Sequence, residues 1–287
     1  MTKDKQNFFT LNNGVEIPAV GFGTFQIAPE KTQQAVAEAI SAGYRLIDTA
    51  QLYMNEKQVG LAIKESPISR EELFITSKLW IDAAGYAETF QAFERSLENL
   101  QLDYLDLYLI HQPLGDIYGS WRALCELQKQ GKIRAIGISN FETDQFVNFV
   151  LSNETRPQIN QIEINPWNQR KTEIEYMEKY QVQPEAFSSF AQGQNDLFQN
   201  EILAKIGQSH GKTIGQVVLR WLFQQNIVSL SKTTHKERLA ENIAIFDFEL
   251  SEHDMQEISA LNLNQTAFTD PRNPQLIEGL HQVKLNK

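Results

Sequence analysis

Cysteine is almost missing from this chain. Of 287 residues only Cys125 is a cysteine, so no disulfide can close within it, which fits a reducing compartment. Cys125 stands in the apolar run ALCEL and is expected to pack on a helix. Long apolar runs are missing too: none approaches a membrane span. The N-terminal stretch MTKDKQNFFTLNNG lacks the apolar centre of a signal peptide. Positive charge is in short supply, with 26 Lys and Arg against 36 Asp and Glu and a formal net charge of −10. That balance argues against nucleic acid and against anionic membranes as partners. An anionic ligand would need a local pocket of positive charge. Histidine is scarce at five, and none is spaced with Cys or Asp as metal ligands are, so no metal is expected. A soluble cytoplasmic monomer is the expectation.

Apolar content, at 41%, is ordinary and ample for a large core. Two short strands, 8–11 and 15–18, flank Asn12-Asn13-Gly14, a hairpin turn signal. Strand-like apolar runs then alternate with amphipathic helical runs. The strands read as 19–23, 45–49, 73–78, 105–110, 135–139, 159–164, 184–188 and 227–231. Helices are expected to begin near Pro29, Asn55, Tyr86, Tyr118, Thr143, Lys171, Phe198 and His235, with Asn55 capping the second through its side-chain oxygen.

Eight strand–helix units with short apolar strands predict a parallel sheet closed into a single-domain (β/α)8 TIM barrel spanning 1–287. A doubly wound sheet is the competing architecture. It would carry G-x-G-x-x-G after the first strand, but Gly21-Phe22-Gly23 is followed by Gln26 where the third glycine belongs. From about Leu261 the tail has two prolines and little periodicity. It reads either as a disordered end or as a strap over the barrel mouth, and Phe268, Leu276, Ile277 and Leu280 give it enough apolar surface to dock, which favours the strap.

In such a barrel the chemistry sits at the C-terminal ends of the strands. The second strand ends in Asp48, with Tyr53 in its loop. The third ends in Lys78, followed by Trp80, and the fourth meets His111. A free phenol is too weak an acid near neutral pH. A lysine ammonium beside it favours the phenolate and is expected to lower its pKa. Asp48 would hold Lys78 charged, and His111 would donate to a substrate carbonyl or share the Tyr53 proton. The product is a general acid aimed at an oxygen that is gaining negative charge. Each residue has an ordinary alternative: a solvated or Schiff-base lysine at 78, a satisfied core histidine at 111, a packing tyrosine at 53. A barrel that binds a cofactor as a sensor, with little turnover, is a further alternative.

The segments GYRLIDTAQLYMNEKQVG, FITSKLW, LDLYLIHQP, IRAIGISNF, INQIEINPW and HKERLAENIAIFDFELS, in this order, resemble the aldo-keto reductase family over essentially the whole chain. The short loop after His111 and the short tail are similar to the bacterial diketogluconate and glyoxal reductase branch. The resemblance implies an NADPH-dependent reductase of small aldehydes, ketones or α-dicarbonyls, with a tetrad of Asp48, Tyr53, Lys78 and His111. It implies that Ser139, Asn140 and Gln161 hold the nicotinamide carboxamide and that Phe187 stacks on its ring. It places Gly23, Thr24, Ser188 and Phe190 along the cofactor, and Lys232, Thr233, Arg238, Glu241 and Asn242 around its adenosine end. Trp80 and His111 would wall the substrate pocket. Three positions depart from the usual pattern. Phe187 replaces a Tyr or Trp, Ser188-Ser189-Phe190 stands where a proline is common, and Ser231 replaces a proline before Lys232. The lost proline should leave its loop freer.

Overall fold

A computed structural model describes residues 7–285. Strands β1 (Phe8–Thr10) and β2 (Glu16–Pro18) form the antiparallel hairpin, with Gly14 at φ 84° in its turn. The strands β3 (Val20–Gly23), β4 (Leu46–Asp48), β5 (Phe74–Leu79), β6 (Leu105–Ile110), β7 (Ile133–Ser139), β8 (Ile159–Glu163), β9 (Gln183–Phe187) and β10 (Val228–Ser231) follow. They close into a parallel barrel in chain order, with β10 pairing β3. The helices are α1 (Pro29–Ala42), α2 (Glu56–Glu65), α3 (Tyr86–Leu100), α4 (Ile117–Lys129), α5 (Thr143–Leu151), α6 (Lys171–Lys179), α7 (Glu201–His210), α8 (Ile214–Gln224), α9 (Lys236–Ile243), α10 (Glu252–Ser259) and α11 (Pro274–Gln282).

Side chains alternate across each strand. One set packs outward against the helices and forms the larger core. The inward set is apolar only in the lower barrel, where Leu46, Phe74, Leu107, Leu109, Ile159 and Leu230 cluster with Leu11 and Ile17 of the hairpin. The hairpin is therefore a plug for the N-terminal end. Above it the interior turns polar, and there the site begins.

Several local expectations change. Asn55 does start α2, but its side chain makes no cap bond. It is fully buried, accepting from Thr49 Oγ1 (2.9 Å) and donating to the Thr24 carbonyl (3.1 Å). Fixing two loops at the barrel mouth satisfies its amide more fully than one helix amide would. Asp116 caps α4, accepting from the Gly119 amide, so the helix begins one residue before Tyr118. The single helix expected near Phe198 is two. Gly211 ends α7 at φ 63°, and Thr213 and Gln216 form a capping box that opens α8.

The tail is a strap, as expected, but it also contains α11, capped by Asn273 and opened by Pro274. Glu163 accepts from the Ala267 amide (2.8 Å) and from the Thr266 hydroxyl. At the far end the Leu285 amide donates to Asp82 (2.7 Å). Phe268, Leu276, Ile277 and Leu280 all face the cavity beneath.

Candidate active site

Asp48 is the last residue of β4 and Lys78 the fifth of β5, so neighbouring strands bring them together at the barrel's upper rim. Lys78 Nζ donates to Asp48 Oδ1 (2.6 Å), to the Thr49 carbonyl (3.0 Å) and to the Tyr53 hydroxyl (3.2 Å). Tyr53 reaches that position from a tight turn, Gln51–Tyr53, that ends at Met54 in the left-handed region. His111 follows β6 directly and sets its ring edge-on to Tyr53, with centroids 5.7 Å apart. The four residues that the sequence placed at strand ends thus meet in one cluster.

The electrostatics of the cluster differ in one respect from expectation. Burial pulls the Lys78 ammonium down, but Asp48 and the Tyr53 oxygen outweigh it and hold the group above its usual range. Burial pushes the Tyr53 phenol up, and Lys78 only partly offsets this, so the phenol sits above its ordinary value rather than below it. In the protein alone, desolvation outweighs the ammonium. His111 is held well below its usual range, by burial first and the Lys78 charge second, and is therefore neutral. Its Nδ1 is buried and has no hydrogen-bond partner among the described residues.

Asp48, Tyr53 and His111 open onto a cavity of about 1080 Å³. Gly23, Ser139, Asn140, Gln161, Phe187 and Ser188 line the same cavity. So do Phe190, Lys232, Thr233, Arg238, Glu241 and Asn242. Asn140 is anchored by donating to the His111 carbonyl (2.9 Å), and Ser139 by donating to that of Gln161 (2.9 Å). Phe187 is half-buried and meets Phe268 of the strap edge-on at 5.8 Å. The loop that lacks proline is tied down in another way: the Ser189 hydroxyl donates to the Leu230 carbonyl (3.0 Å). Lys232 and Arg238 are exposed at the cavity's far end, and among the described residues neither has an ion-pair partner.

Two residues, Thr24 expected along the cofactor and Trp80 expected in the substrate wall, stand elsewhere. Thr24 is fully buried behind the site, its hydroxyl donating to the Asp48 carbonyl (3.0 Å), so it braces Asp48. Trp80 is likewise fully buried. It lies behind His111, edge-on at 5.4 Å, and its indole N–H donates to the Val283 carbonyl (3.0 Å) of the strap. The strap covers this ring and removes it from the wall.

One residue of the cluster went unread in the sequence. Glu185 lies inside the barrel, fully buried, where its Oε2 accepts from Gln161 Nε2 (2.9 Å). The same nitrogen donates to Asp48 Oδ2 (2.9 Å). A usable signal existed: Glu185 is two residues before Phe187 on one strand, hence on the same face.

Residues 19–263 match the Aldo/keto reductase family. Glyoxal reductase of Bacillus subtilis is 48% identical over 263 residues, 91% of this chain and 95% of that one. The chain belongs to the Aldo/keto reductase family. It is an oxidoreductase acting on carbonyl groups. Methylglyoxal reductase DkgA of Yersinia pestis is 38% identical, over 93% of this chain and 96% of its own. Among solved aldo-keto reductase structures, that of Bombyx mori in complex with NADP superposes with a TM-score of 0.87 at 34% identity, covering 92% of this chain and 95% of that one. The polar cluster therefore lies in an aldo-keto reductase barrel, at the end of the strands where such a barrel places its chemistry.

Proposed function

We propose that this protein uses NADPH to reduce small aldehydes, ketones and α-dicarbonyls to alcohols, with Tyr53 as the general acid. One observation carries the reading: Lys78 Nζ bonds Asp48 and the Tyr53 hydroxyl at once, on the floor of the cavity and beside a neutral His111. The residues present fit the cofactor. The cavity has an aromatic face at Phe187 and, at the other end, two cations without counter-charges among the described residues, suited to a phosphate. When bound, the nicotinamide supplies the hydride.

The chain's own residues do the rest. His111, uncharged, offers an N–H to the carbonyl oxygen and orients it toward Tyr53. As negative charge grows on that oxygen, the Tyr53 hydroxyl gives up its proton, and Lys78 stabilises the phenolate left behind. Burial holds the proton on Tyr53 until the oxygen needs it. Asp48 keeps Lys78 charged and in place. A Schiff-base role for Lys78 is disfavoured, because a nucleophilic amine must lose its proton and Asp48 opposes that. The relatives named for glyoxal and methylglyoxal reduction favour small dicarbonyls. The lone cysteine, half-buried on α4, suits a reducing cytoplasm.

The test is NADPH absorbance followed against methylglyoxal, aldoses and diketo acids, with Tyr53→Phe as the control. The substitution should abolish turnover and leave NADPH binding nearly intact, since only the acidic hydroxyl is lost. Substantial turnover at unchanged affinity would show that another group is the acid.

A further inference from the structure

Gln161 Nε2 carries two hydrogens, and both are spent inside the barrel, one on Asp48 Oδ2 and one on Glu185 Oε2 at 2.9 Å each. The two acceptors reach it from different places: Glu185 stands on β9, the strand paired with the β8 that carries Gln161, whereas Asp48 stands on β4, four strands away across the barrel. An amide has one N–H2 end and one carbonyl end. With the N–H2 end held inward by two carboxyl groups, the carbonyl Oε1 is the end left for the cavity that Gln161 lines. Among the described residues it has no protein partner. Turning the amide over would bring its oxygen against the buried Asp48 carboxylate and leave that carboxylate oxygen without a donor, an expensive exchange in a dry interior.

We infer that Glu185 is a positioning residue: by sharing the amide hydrogens of Gln161 with Asp48, it fixes the Gln161 carbonyl as an acceptor for the amide N–H of a nicotinamide ring. The inference rests on the cofactor named under the proposed function. It concerns a residue that touches neither substrate nor cofactor and acts only through Gln161.

The carboxyl does this in its neutral form. The one ammonium in the cluster, Lys78, bonds Asp48 and not Glu185. Glu185 Oε1 is buried with no hydrogen-bond partner among the described residues, so no donor there stabilises a charge. Burial first, and the Asp48 charge second, push the Glu185 carboxyl up to about 8. Gln161 needs only an acceptor oxygen at Oε2, which a neutral carboxyl supplies and a primary amide would supply equally well.

Affinity measured by quenching of tryptophan fluorescence provides the test, because it does not depend on turnover. NADPH is compared with its reduced 3-acetylpyridine analogue, in which a methyl ketone replaces the carboxamide and no N–H is available. The wild type should bind NADPH about fivefold to tenfold more tightly than the analogue, the worth of one hydrogen bond to a ligand. Glu185→Leu removes the acceptor. It should lower that ratio by weakening NADPH alone, with the analogue unaffected, while the Asp48 contact still opposes a full turn of the amide. Glu185→Ala serves as a second acceptor-free variant if the leucine does not fold. Glu185→Gln keeps an acceptor and should keep the ratio. An unchanged ratio in the acceptor-free variant would overturn the inference, and so would a Glu185→Gln protein that loses the ratio as they do. A wild type that binds neither nucleotide would instead overturn the reading of function, a result easily told from an unchanged ratio.

Discussion

Removing the Lys78 ammonium should damage the fold and the chemistry by separable amounts. Lys78 is fully buried and Asp48 is 3% exposed. Their contact at 2.6 Å is the only ion pair Asp48 makes among the described residues. Lys78→Met keeps the length of the stem and deletes the charge. Asp48 is then a buried carboxylate with one neutral donor, Gln161, and with the Glu185 carboxyl on the same amide. Breaking a buried pair from one side destabilises by about 3–5 kcal/mol, because the remaining charge is uncompensated. Adding Asp48→Asn removes that charge. The double variant should therefore be more stable than Lys78→Met alone, with a coupling of about 2 kcal/mol or more between the sites. Urea denaturation of the wild type, both single variants and the double variant measures the cycle. Turnover should not follow stability: with Lys78 absent, Tyr53 loses the group that stabilises its phenolate, and carbonyl reduction should fall by about 10²–10⁴ in both Lys78 variants. Additive destabilisation, or near-normal turnover in Lys78→Met at neutral pH, would refute the role assigned to the pair.

Other expectations are as direct. Phe187→Ala should weaken NADPH binding by roughly 1 kcal/mol or more, while Phe187→Trp should be tolerated, as measured by fluorescence titration. Unchanged affinity in the alanine variant would mean that this ring does not face the nicotinamide. Arg238→Ala should harm NADPH binding far more than NADH binding, and the wild-type preference for NADPH should weaken as salt rises. Equal losses for the two cofactors would place the 2′-phosphate elsewhere. Glu185 predicts a pH dependence of stability, with Asp48, Lys78 and Gln161 as the charged and polar groups in its network. Its carboxyl holds a proton up to about 8, against 4.5 ordinarily. Between those values the unfolded chain ionises first, so wild-type stability falls as pH rises, by up to about 1.4 kcal/mol per pH unit, and levels off above about 8. Glu185→Gln should lack this slope, so urea midpoints of the two proteins should diverge from pH 5 to 8. Parallel curves across that range would show that the carboxyl is not protonated when folded.

The alternation of short apolar strands with amphipathic helices was enough to reach an eight-unit barrel, because that rhythm is local and each run must bury itself. Strand ends are local as well, so the sequence alone marks Asp48, Lys78 and His111 at them, with Tyr53 in the loop after Asp48. Two turn signals, Gly211 and Thr213 with Gln216, are also present in the sequence and divide the stretch after Phe198 into two helices. The rest required three dimensions. Asn55 is a suitable cap by type, yet it ties two loops together, since beside Thr49 of its own loop it also bonds Thr24 at the end of β3. Trp80 follows a catalytic strand and reads as a wall, but a strap some two hundred positions along the chain covers it. Glu185 shares a face with Phe187 by strand period alone, but that this face turns from apolar to polar partway up the barrel follows from which neighbours oppose it. The acidity of Tyr53 is set in the same way, by burial that outweighs the neighbouring ammonium. The sign of each charge is written in the residue type, whereas the water each charge loses is set only when the barrel closes around it.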